Sequence, residues 1–226
     1  MPDASQEKIL VGRRSVQEVR DGMLVGLGSG STAAEFVRCL GERVREGLKI
    51  EGVATSTATE KLARSEGIPL RSFEEISRID LTVDGVDEID GQLRAVKGGG
   101  GALLREKIVA AASDRMIAIA DSSKLVAVLG KFPLPVEVLP FASSFVQAEL
   151  SRFGFPIRKR THPDGRVYVT DQGAYIFDIS FGTIPDPQSV AERIAALPGV
   201  LEQGLFLKEI DELFVAEGNH VSRHTR

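Results

Sequence analysis

The chain has 226 residues, of which 42% are hydrophobic and 27% charged, and its formal net charge is −4 at pH 7. That length can bury a substantial core in one large domain or two small ones, and the charge excludes the basic field that nucleic-acid binding needs. No run approaches the ~20 apolar residues of a membrane span, and the single Cys39 excludes an internal disulfide. We therefore expect a cytoplasmic protein that binds neither nucleic acid nor membrane and recognises at most a small anion.

The first half of the chain predicts strands and helices in alternation. The predicted strands cover 23–27, 49–55, 80–84 and 115–121, and the predicted helices cover 6–20, 33–44 and 59–66. Alternating β and α elements predict a doubly wound, mostly parallel, Rossmann-like sheet.

The composition changes at residues 130–135, where Pro133 and Pro135 cannot continue a helix or a central strand. Beyond them the pattern predicts strands at 136–139, 156–161, 166–170, 174–180 and 200–207, with helices at 141–153 and 187–196. This order predicts a smaller ferredoxin-like α+β domain with one extra strand. The predicted domains are 1–133 with 207–226, and 134–206. Residues 213–216 are predicted to return to the first domain as an edge strand, followed by a loose tail at 220–226.

The first βα turn, residues 28–33, matches the glycine pattern of dinucleotide-binding proteins. Such proteins also need an acid at the end of the next strand, but Glu51 lies at the start of that strand. The hydroxyls of Ser29, Ser31 and Thr32 beside helix N–H groups instead suit a phosphate or sugar oxygens. A hydroxyl N-cap in a tight turn is the plain alternative, and capping also explains most of the hydroxyls at 55–59.

Charged residues follow two further strands. Asp84 ends the strand at 80–84, and the segment Asp121–Lys124 follows the strand at 115–121. An Asp-Gly turn and a capped helix with a solvated Lys124 are the plain alternatives. Because the carboxyl ends of parallel strands share one sheet edge, we expect a ligand site at that edge. No histidine lies near these acids in sequence, so no metal site is predicted.

The segment Lys97–Lys107 contains four consecutive glycines, Gly98 to Gly101, and Glu106 follows one helical turn later. Glycine loses the most backbone entropy on folding, so such a run indicates positive φ angles or close approaches that a Cβ would forbid. A cation, a bare loop and a carboxylate predict an anion site beside an acid/base group. A flexible turn is the alternative. At about 100° per residue, Glu106 points away from a buried ridge formed by Leu104 and Ile108, so periodicity alone does not place it in a cleft.

These blocks resemble the type A ribose-5-phosphate isomerase family in order and spacing. The motifs that carry the resemblance are Gly26–Thr32, Asp84–Glu88, Lys97–Lys107, Asp121–Lys124 and Gly130–Val138. The departures are Ser29 in place of the usual threonine, Val86 in place of alanine, and Leu104 where a hydroxyl residue can occur. None removes a charged group.

The resemblance implies interconversion of D-ribose 5-phosphate and D-ribulose 5-phosphate, in the non-oxidative branch of the pentose phosphate pathway, through an enediol(ate). It implies Glu106 as general base, Asp84 in ring opening, and Asp87 and Lys97 at the O1/O2 protons and charge. The implied substrate-binding set is Ser29, Gly30, Ser31, Thr32, Gly85, Gly98, Gly99, Gly100, Lys124 and Lys8. Lysines and amides supply the electrophile, so no metal or cofactor is expected, and the resemblance implies a homodimer or tetramer.

Two other classes of function stay open. A non-catalytic sugar-phosphate sensor could use the same phosphate loop, although the chain has little room for a DNA-binding module. An amino-sugar phosphate deaminase or a coenzyme A transferase could use a carboxylate on a similar sheet.

Overall fold

The computed structural model describes residues 4–226, which form six α-helices and thirteen strands. The helices are α1 Ala4–Val16, α2 Ser31–Arg45, α3 Thr57–Ser65, α4 Leu103–Ala111, α5 Ser143–Ser151 and α6 Pro187–Ala195. The strands are β1 Leu24–Leu27, β2 Glu51–Ala54, β3 Leu81–Gly85, β4 Glu88–Ile89, β5 Ala95–Val96, β6 Met116–Asp121, β7 Leu134–Val138, β8 Ile157–Lys159, β9 Tyr175–Ile179, β10 Val200–Gln203, β11 Leu205–Phe206, β12 Glu212–Glu217 and β13 His220–Thr225. Within residues 4–226, no helix has the length and apolar character that crossing a membrane requires.

The chain divides into two compact units. The first contains the residues up to Val86, Arg105–Leu125 and Lys208–Arg226, and the second contains Asp87–Leu104 and Val126–Leu207. The sequence-based division at 133/134 and 206/207 stays a prediction about domains. It differs from these units in residues 87–104, 126–133 and 207, which the sequence assigns to the first domain.

The first unit contains a six-stranded sheet in the order β13-β12-β6-β3-β1-β2. All neighbouring pairs are parallel except β12 and β13. Val25 and Leu27 of β1 pack in one apolar cluster with Phe36 of α2, whereas Leu24 packs in another with Val109 of α4. Since successive strand residues face opposite sides of a sheet, helices cover both faces. The predicted doubly wound, mostly parallel sheet is confirmed.

The C-terminal segment differs from the sequence-based expectation. The predicted edge strand at 213–216 is internal, because β12 pairs with β6 on one side and with β13 on the other. The predicted loose tail is β13, which pairs with β12 from Glu217↔His220 to Glu212↔Thr225. An edge strand with largely exposed side chains carries no apolar alternation, so its own sequence does not reveal it.

The second unit contains a four-stranded antiparallel sheet in the order β10-β7-β9-β8. With α5 after β7 and α6 after β9, the chain order is βαββαβ, which is ferredoxin-like. Val136 and Phe177 of the sheet pack with Val146 of α5 and Ile194 of α6. The predicted smaller α+β module is therefore present.

Three details of this module were predicted wrongly. Pro135 lies inside β7, a central strand of this sheet. The residue pairs only with β9, because the pairing of β7 with β10 begins at Val136. The N–H that proline lacks is therefore not required for the pairing with β10. The predicted extra strand at 166–170 is reduced to a single bridge, Thr161↔Val167, after a turn. The predicted strand at 200–207 divides at Gly204 into β10 and β11.

A small third sheet, in the order β11-β5-β4, also belongs to the second unit. Leu205 and Phe206 pair with Val96 and Ala95 of β5, and β5 pairs in turn with β4. This long-range pairing places residues 87–104 in the second unit. Two-residue strands are too short to show a period in the sequence.

Candidate active site

Polar segments follow four neighbouring parallel strands of the first unit. The order β6-β3-β1-β2 places Asp121–Lys124, Asp84, Gly28–Thr32 and Thr55–Thr59 after consecutive strands at the same sheet edge. Parallel neighbours lie about 4.8 Å apart, so these segments adjoin one another. This edge is where open α/β sheets bind their ligands.

The carboxylate of Asp84 is fully buried at the end of β3 and accepts two backbone hydrogen bonds. Its Oδ1 receives the N–H of Ser29 at 3.0 Å and the N–H of Gly85 at 2.7 Å. A Cβ at Gly28 would lie 2.1 Å from that oxygen, so the βα turn approaches Asp84 as only glycine permits. Asp84 is therefore held rigidly against the glycine turn.

The Ser29 hydroxyl is part of a hydroxyl cluster within the first unit. Its Oγ lies 2.8 Å from Thr55 Oγ1, 2.8 Å from Ser56 Oγ and 3.2 Å from Thr59 Oγ1. Ser56 also caps α3, accepting the Thr59 N–H at 3.1 Å, so the predicted capping role at 55–59 is present. The Ser29 side chain thus joins the β1 turn to α3.

The N-terminus of α2 has no side-chain cap. Gly30 is the N-cap residue, with φ of 91° and no side chain to accept a hydrogen bond, so the alternative of a hydroxyl N-cap is wrong for this turn. Ser31 and Thr32 are the first residues of the helix, and the position of a Cβ at Gly85 lies 3.6 Å from Thr32 Cβ. The predicted phosphate-binding residues 29–32 therefore surround a helix N-terminus next to Gly85, as an anion site requires.

Glu7 forms hydrogen bonds that connect α1, which carries Lys8, to the segment Asp121–Lys124. Its buried carboxylate accepts the Ser122 N–H and the Ser122 hydroxyl, each at 3.0 Å, and the Gly218 N–H at 2.7 Å. Within residues 4–226, the ammonium groups of Lys8 and Lys124 form no ion pair or hydrogen bond. Both predicted phosphate-binding lysines are thus available to an anion.

Glu106 lies on the buried face of α4, with 4% of its surface exposed. Leu103 and Ala110, three residues before it and four after it, are buried too, whereas Ile108 is 42% exposed. Leu104 and Ile108 therefore do not form the buried face of α4. The expectation that Glu106 points away from the buried face was wrong, because Glu106 lies on it. Both residues are apolar, so the sequence alone suggested the wrong face.

The second unit carries Asp87, Lys97 and the glycine run. Asp87 Oδ2 accepts the Gly99 N–H at 2.7 Å, and a Cβ at Gly99 would lie 2.5 Å from Asp87 Oδ1. Lys97 is almost completely buried, with its Nζ 5.4 Å from the centroid of the Phe206 ring. Gly98 has a φ of 98°, and a Cβ on it would lie 2.9 Å from Leu103 Cβ. The glycine run is thus a fixed loop next to Asp87, not a flexible turn.

Sequence reasoning missed the side chains that bind the carbonyl oxygens of this loop. Arg160 Nη1 donates to Gly98 O at 2.9 Å and to Gly99 O at 3.1 Å, and the Tyr168 hydroxyl donates to Gly100 O at 3.1 Å. Both side chains are separated from the loop by about sixty residues of sequence. No local pattern pairs them with it, and only the predicted strands at 156–161 and 166–170 pointed to this part of the chain.

The described part of the chain contains no group of three or more His, Cys, Asp and Glu side chains that could hold a metal ion. The charged groups assembled at the sheet edge are the Asp84 carboxylate and the two lysines, and α4 carries Glu106. The second unit, described by itself, carries Asp87 and Lys97. These residue types suit binding of a small phosphorylated ligand and transfer of protons.

The chain matches a family model, Ribose 5-phosphate isomerase A (phosphoriboisomerase A), over residues 51–220. It is 57% identical over 219 residues to the ribose-5-phosphate isomerase A of Sphingopyxis alaskensis, with 96% of each chain covered. Among solved structures it is similar to ribose 5-phosphate isomerase A from Methanocaldococcus jannaschii, with a TM-score of 0.94, 38% identity, and coverage of 99% of this chain and 100% of that one.

A second solved structure is a D-ribose-5-phosphate isomerase in complex with phospho-erythronic acid. It has a TM-score of 0.95 and 35% identity, covering 99% of this chain and 100% of that chain. The matches extend through both compact units and include every predicted site segment from the glycine turn to Lys124. By its sequence and its fold, the chain belongs to the ribose 5-phosphate isomerase A family.

Proposed function

We propose that this aldose–ketose isomerase interconverts D-ribose 5-phosphate and D-ribulose 5-phosphate through an enediolate, with Glu106 as the general base. The reaction moves one proton between C2 and C1 of the open-chain sugar. A carboxylate that removes the proton from one carbon and returns it to the other is sufficient for this transfer.

The buried position of Glu106 is the single observation that carries the assignment of the base. The carboxylate lies on the inward face of the first turn of α4, a few residues after the glycine run. A buried carboxylate is shielded from bulk water, so water does not compete with the carbon acid for the transferred proton. Glu60, the one acid of α3, has a side chain that is 45% exposed and lacks this property.

The remaining roles extend the proposal to the residues of both units. Asp84 assists ring opening, and Asp87 and Lys97 stabilise the charge and protons at O1 and O2. The phosphate is bound at the N-terminus of α2 by Ser31, Thr32 and the backbone N–H groups of residues 30–32, together with Lys124 and Lys8, while the Ser29 N–H holds Asp84 beside them. Gly85 and the amides of Gly98, Gly99 and Gly100 lie close to the sugar in this proposal. The cytoplasmic location and the assembly into a dimer or tetramer are further parts of it.

The test is formation of ribulose 5-phosphate from ribose 5-phosphate in chelator-treated buffer, with the unmodified chain compared to Glu106→Gln. We expect turnover without added metal, reduced about 10²–10⁴-fold in the variant, which is the range for loss of a general base. Glu75→Gln, which changes an exposed acid of the 3₁₀ helix Phe73–Glu75, is the matched control and keeps full activity.

The outcomes separate the rival functions. Turnover that survives Glu106→Gln discards Glu106 as the base and keeps the isomerase. Binding of ribose 5-phosphate without turnover favours a sensor. Ammonia released from an amino-sugar phosphate indicates a deaminase, and a covalent acyl-glutamate formed with an acyl-coenzyme A indicates a transferase.

A further inference from the structure

We infer that Arg160, held by Asp178 and assisted by Tyr168, is a positioning residue that fixes the amide groups of the glycine run for the isomerisation. The inference rests on the proposed function, because the run acts here as the electrostatic partner of the enediolate. All the contacts that support it lie within the second compact unit.

Three successive carbonyl oxygens of the run are bound from one side. Arg160 Nη1 reaches Gly98 O and Gly99 O at 2.9 and 3.1 Å, and the Tyr168 hydroxyl reaches Gly100 O at 3.1 Å. Four glycines in succession have wide conformational freedom, so without these contacts their peptide planes can rotate at little energetic cost.

Binding a carbonyl oxygen also fixes an amide. The peptide group is planar, so the C=O of one residue and the N–H of the next point in opposite directions. The carbonyls of Gly98 and Gly100 thus fix the N–H groups of Gly99 and Gly101, which donate to Asp87 Oδ2 and to Gly98 O. The Gly99 carbonyl fixes the N–H of Gly100, which donates no hydrogen bond within residues 4–226 and lies at an exposed position. Arg160 therefore determines the direction of an available backbone donor.

The guanidinium that does this is itself rigid. Arg160 Nε donates to Asp178 Oδ2 at 2.9 Å and Nη2 donates to Oδ1, a bidentate pair that fixes the plane of the guanidinium. Its side chain is only 14% exposed, and its backbone N–H donates to Ile176 O at 2.8 Å. An arginine in this geometry has one remaining edge for other acceptors, and that edge binds the glycine run.

Tyr168 is coupled to the same group. Its backbone N–H donates to Arg160 O at 3.0 Å, and the Arg160 guanidinium carbon lies 5.8 Å from the centroid of the Tyr168 ring. Burial raises the pKa of the Tyr168 hydroxyl, so the hydroxyl stays protonated and remains a donor at neutral pH. Arg160 and Tyr168 thus bind the loop as one unit.

A residue that aims a donor at the enediolate affects the transition state more than the bound substrate. The phosphate of the substrate is held by other groups in the proposed function, so KM should change little when the loop amides are misdirected. The expected signature of Arg160 is a loss in kcat with an almost unchanged KM.

The experiment compares Arg160→Gln, Arg160→Lys and the double variant Arg160→Gln/Asp178→Asn, which removes the carboxylate left without its partner. We expect kcat to fall about 10- to 100-fold in all three, the range for misdirecting one backbone donor, with KM within about 3-fold. Arg158→Gln, which changes an exposed arginine two residues away, is the matched control and keeps kcat.

Two inhibitors distinguish positioning from a general loss of structure. Phospho-erythronic acid carries a carboxylate in place of the reacting carbons, so its inhibition constant should rise in parallel with the loss in kcat. The inhibition constant of inorganic phosphate should remain unchanged. Unchanged kcat in the folded variants overturns the inference, as does a loss of phosphate inhibition and thermal stability together with kcat.

Tyr168→Phe gives a second result that does not depend on the folding of the Arg160 variants. Loss of one neutral hydrogen bond to Gly100 O should lower kcat about 2- to 10-fold at constant KM, and unchanged kcat overturns the role of Tyr168. The unmodified chain and Glu106→Gln are assayed beside it. If the unmodified chain has no isomerase activity, the proposed function fails. If the unmodified chain is active, Glu106→Gln has a reduced kcat, and the Arg160 and Tyr168 variants keep the kcat of the unmodified chain, this inference alone fails.

Discussion

Position 28 has space for a hydrogen atom and for nothing larger. The ideal Cβ of an alanine there would lie 2.1 Å from Asp84 Oδ1 and 2.5 Å from Asp84 Cα. The turn therefore brings two backbone N–H groups to one buried carboxylate, and the absence of a side chain is the condition for that contact. The role proposed for Asp84 depends on a residue that has no functional group.

Gly28→Ala should lower both stability and activity. We expect the free energy of unfolding in urea to fall by about 1–3 kcal/mol, the usual cost of inserting a methyl group into a packed site, and kcat to fall because Asp84 must move. Gly91→Ala is the control, since nothing lies within 4 Å of a Cβ at that position. Its unfolding free energy should stay within about 0.5 kcal/mol of the unmodified chain. Equal urea midpoints for the two variants would contradict the close approach.

In the first unit, a chain of ion pairs joins α1 and the segment after it to the residue before β6, to β12 and to β13. Arg115 donates to Glu18 at 2.8 Å and to Glu212 at 2.7 Å, while Arg14 donates to the other oxygen of Glu18 and Arg223 to the other oxygen of Glu212. Burial acts to raise the pKa of each glutamate, but the hydrogen bonds and charges of the arginines outweigh it. The pKa values of both carboxyls are therefore lowered.

This arrangement predicts a loss of stability in acid. A carboxyl whose pKa is lower in the folded chain stabilises the fold above its unfolded value of about 4.3, and that stabilisation is lost as the pH falls through the folded value. Arg115→Gln should lower the free energy of unfolding by about 1–2 kcal/mol at pH 7, below the range for a fully buried pair because Arg115 is 31% exposed. The difference from the unmodified chain should shrink as the pH falls from about 5 to 3, measured by urea unfolding at each pH.

Arg78 provides a comparison for Arg115. It pairs with Asp114 with both partners well exposed, so water and salt screen the attraction. Arg78→Gln should change stability much less than Arg115→Gln, with little dependence on pH. Equal effects of the two substitutions would show that the ion-pair chain has no special role.

The first compact unit as a whole is assembled from three separate parts of the chain. Its last part, Lys208–Arg226, contributes β12 and β13, and β12 lies between β6 and β13 in the sheet. Leu213, Phe214 and Val215 of β12 are buried. The sheet that carries the proposed phosphate site is therefore incomplete until the C-terminal segment has paired.

Truncation separates the contributions of these two strands. A chain that ends at Leu207 lacks β12 and should lose cooperative thermal unfolding, because removal of Phe214 alone costs about 3–5 kcal/mol of a total that is usually about 5–15 kcal/mol. A chain that ends at Glu217 lacks only β13 and should still unfold cooperatively, at a lower Tm. Circular dichroism melts decide the question. A chain ending at Leu207 with an unchanged Tm would refute this account of the first unit.

Local spacing and residue chemistry were enough to predict much of this protein. The alternation of strands and helices predicted the parallel sheet, and the segments after β1, β3 and β6 predicted an anion site at one edge, because parallel strands share their carboxyl ends. The glycine run predicted close approaches, which Gly99 makes to Asp87. Each of these inferences depends on residues that are near one another in sequence.

Only the tertiary structure decided the features that depend on pairing between distant segments. These are the strand β13, the sheet of β4, β5 and β11, the buried face of α4 that carries Glu106, and the contacts of Arg160 and Tyr168 with the glycine run. Edge strands and two-residue strands have no apolar period, and a helix with apolar residues on two faces does not reveal which face is covered. A side chain that binds a loop sixty residues away leaves no trace in local sequence, because the chain must fold before the two can meet.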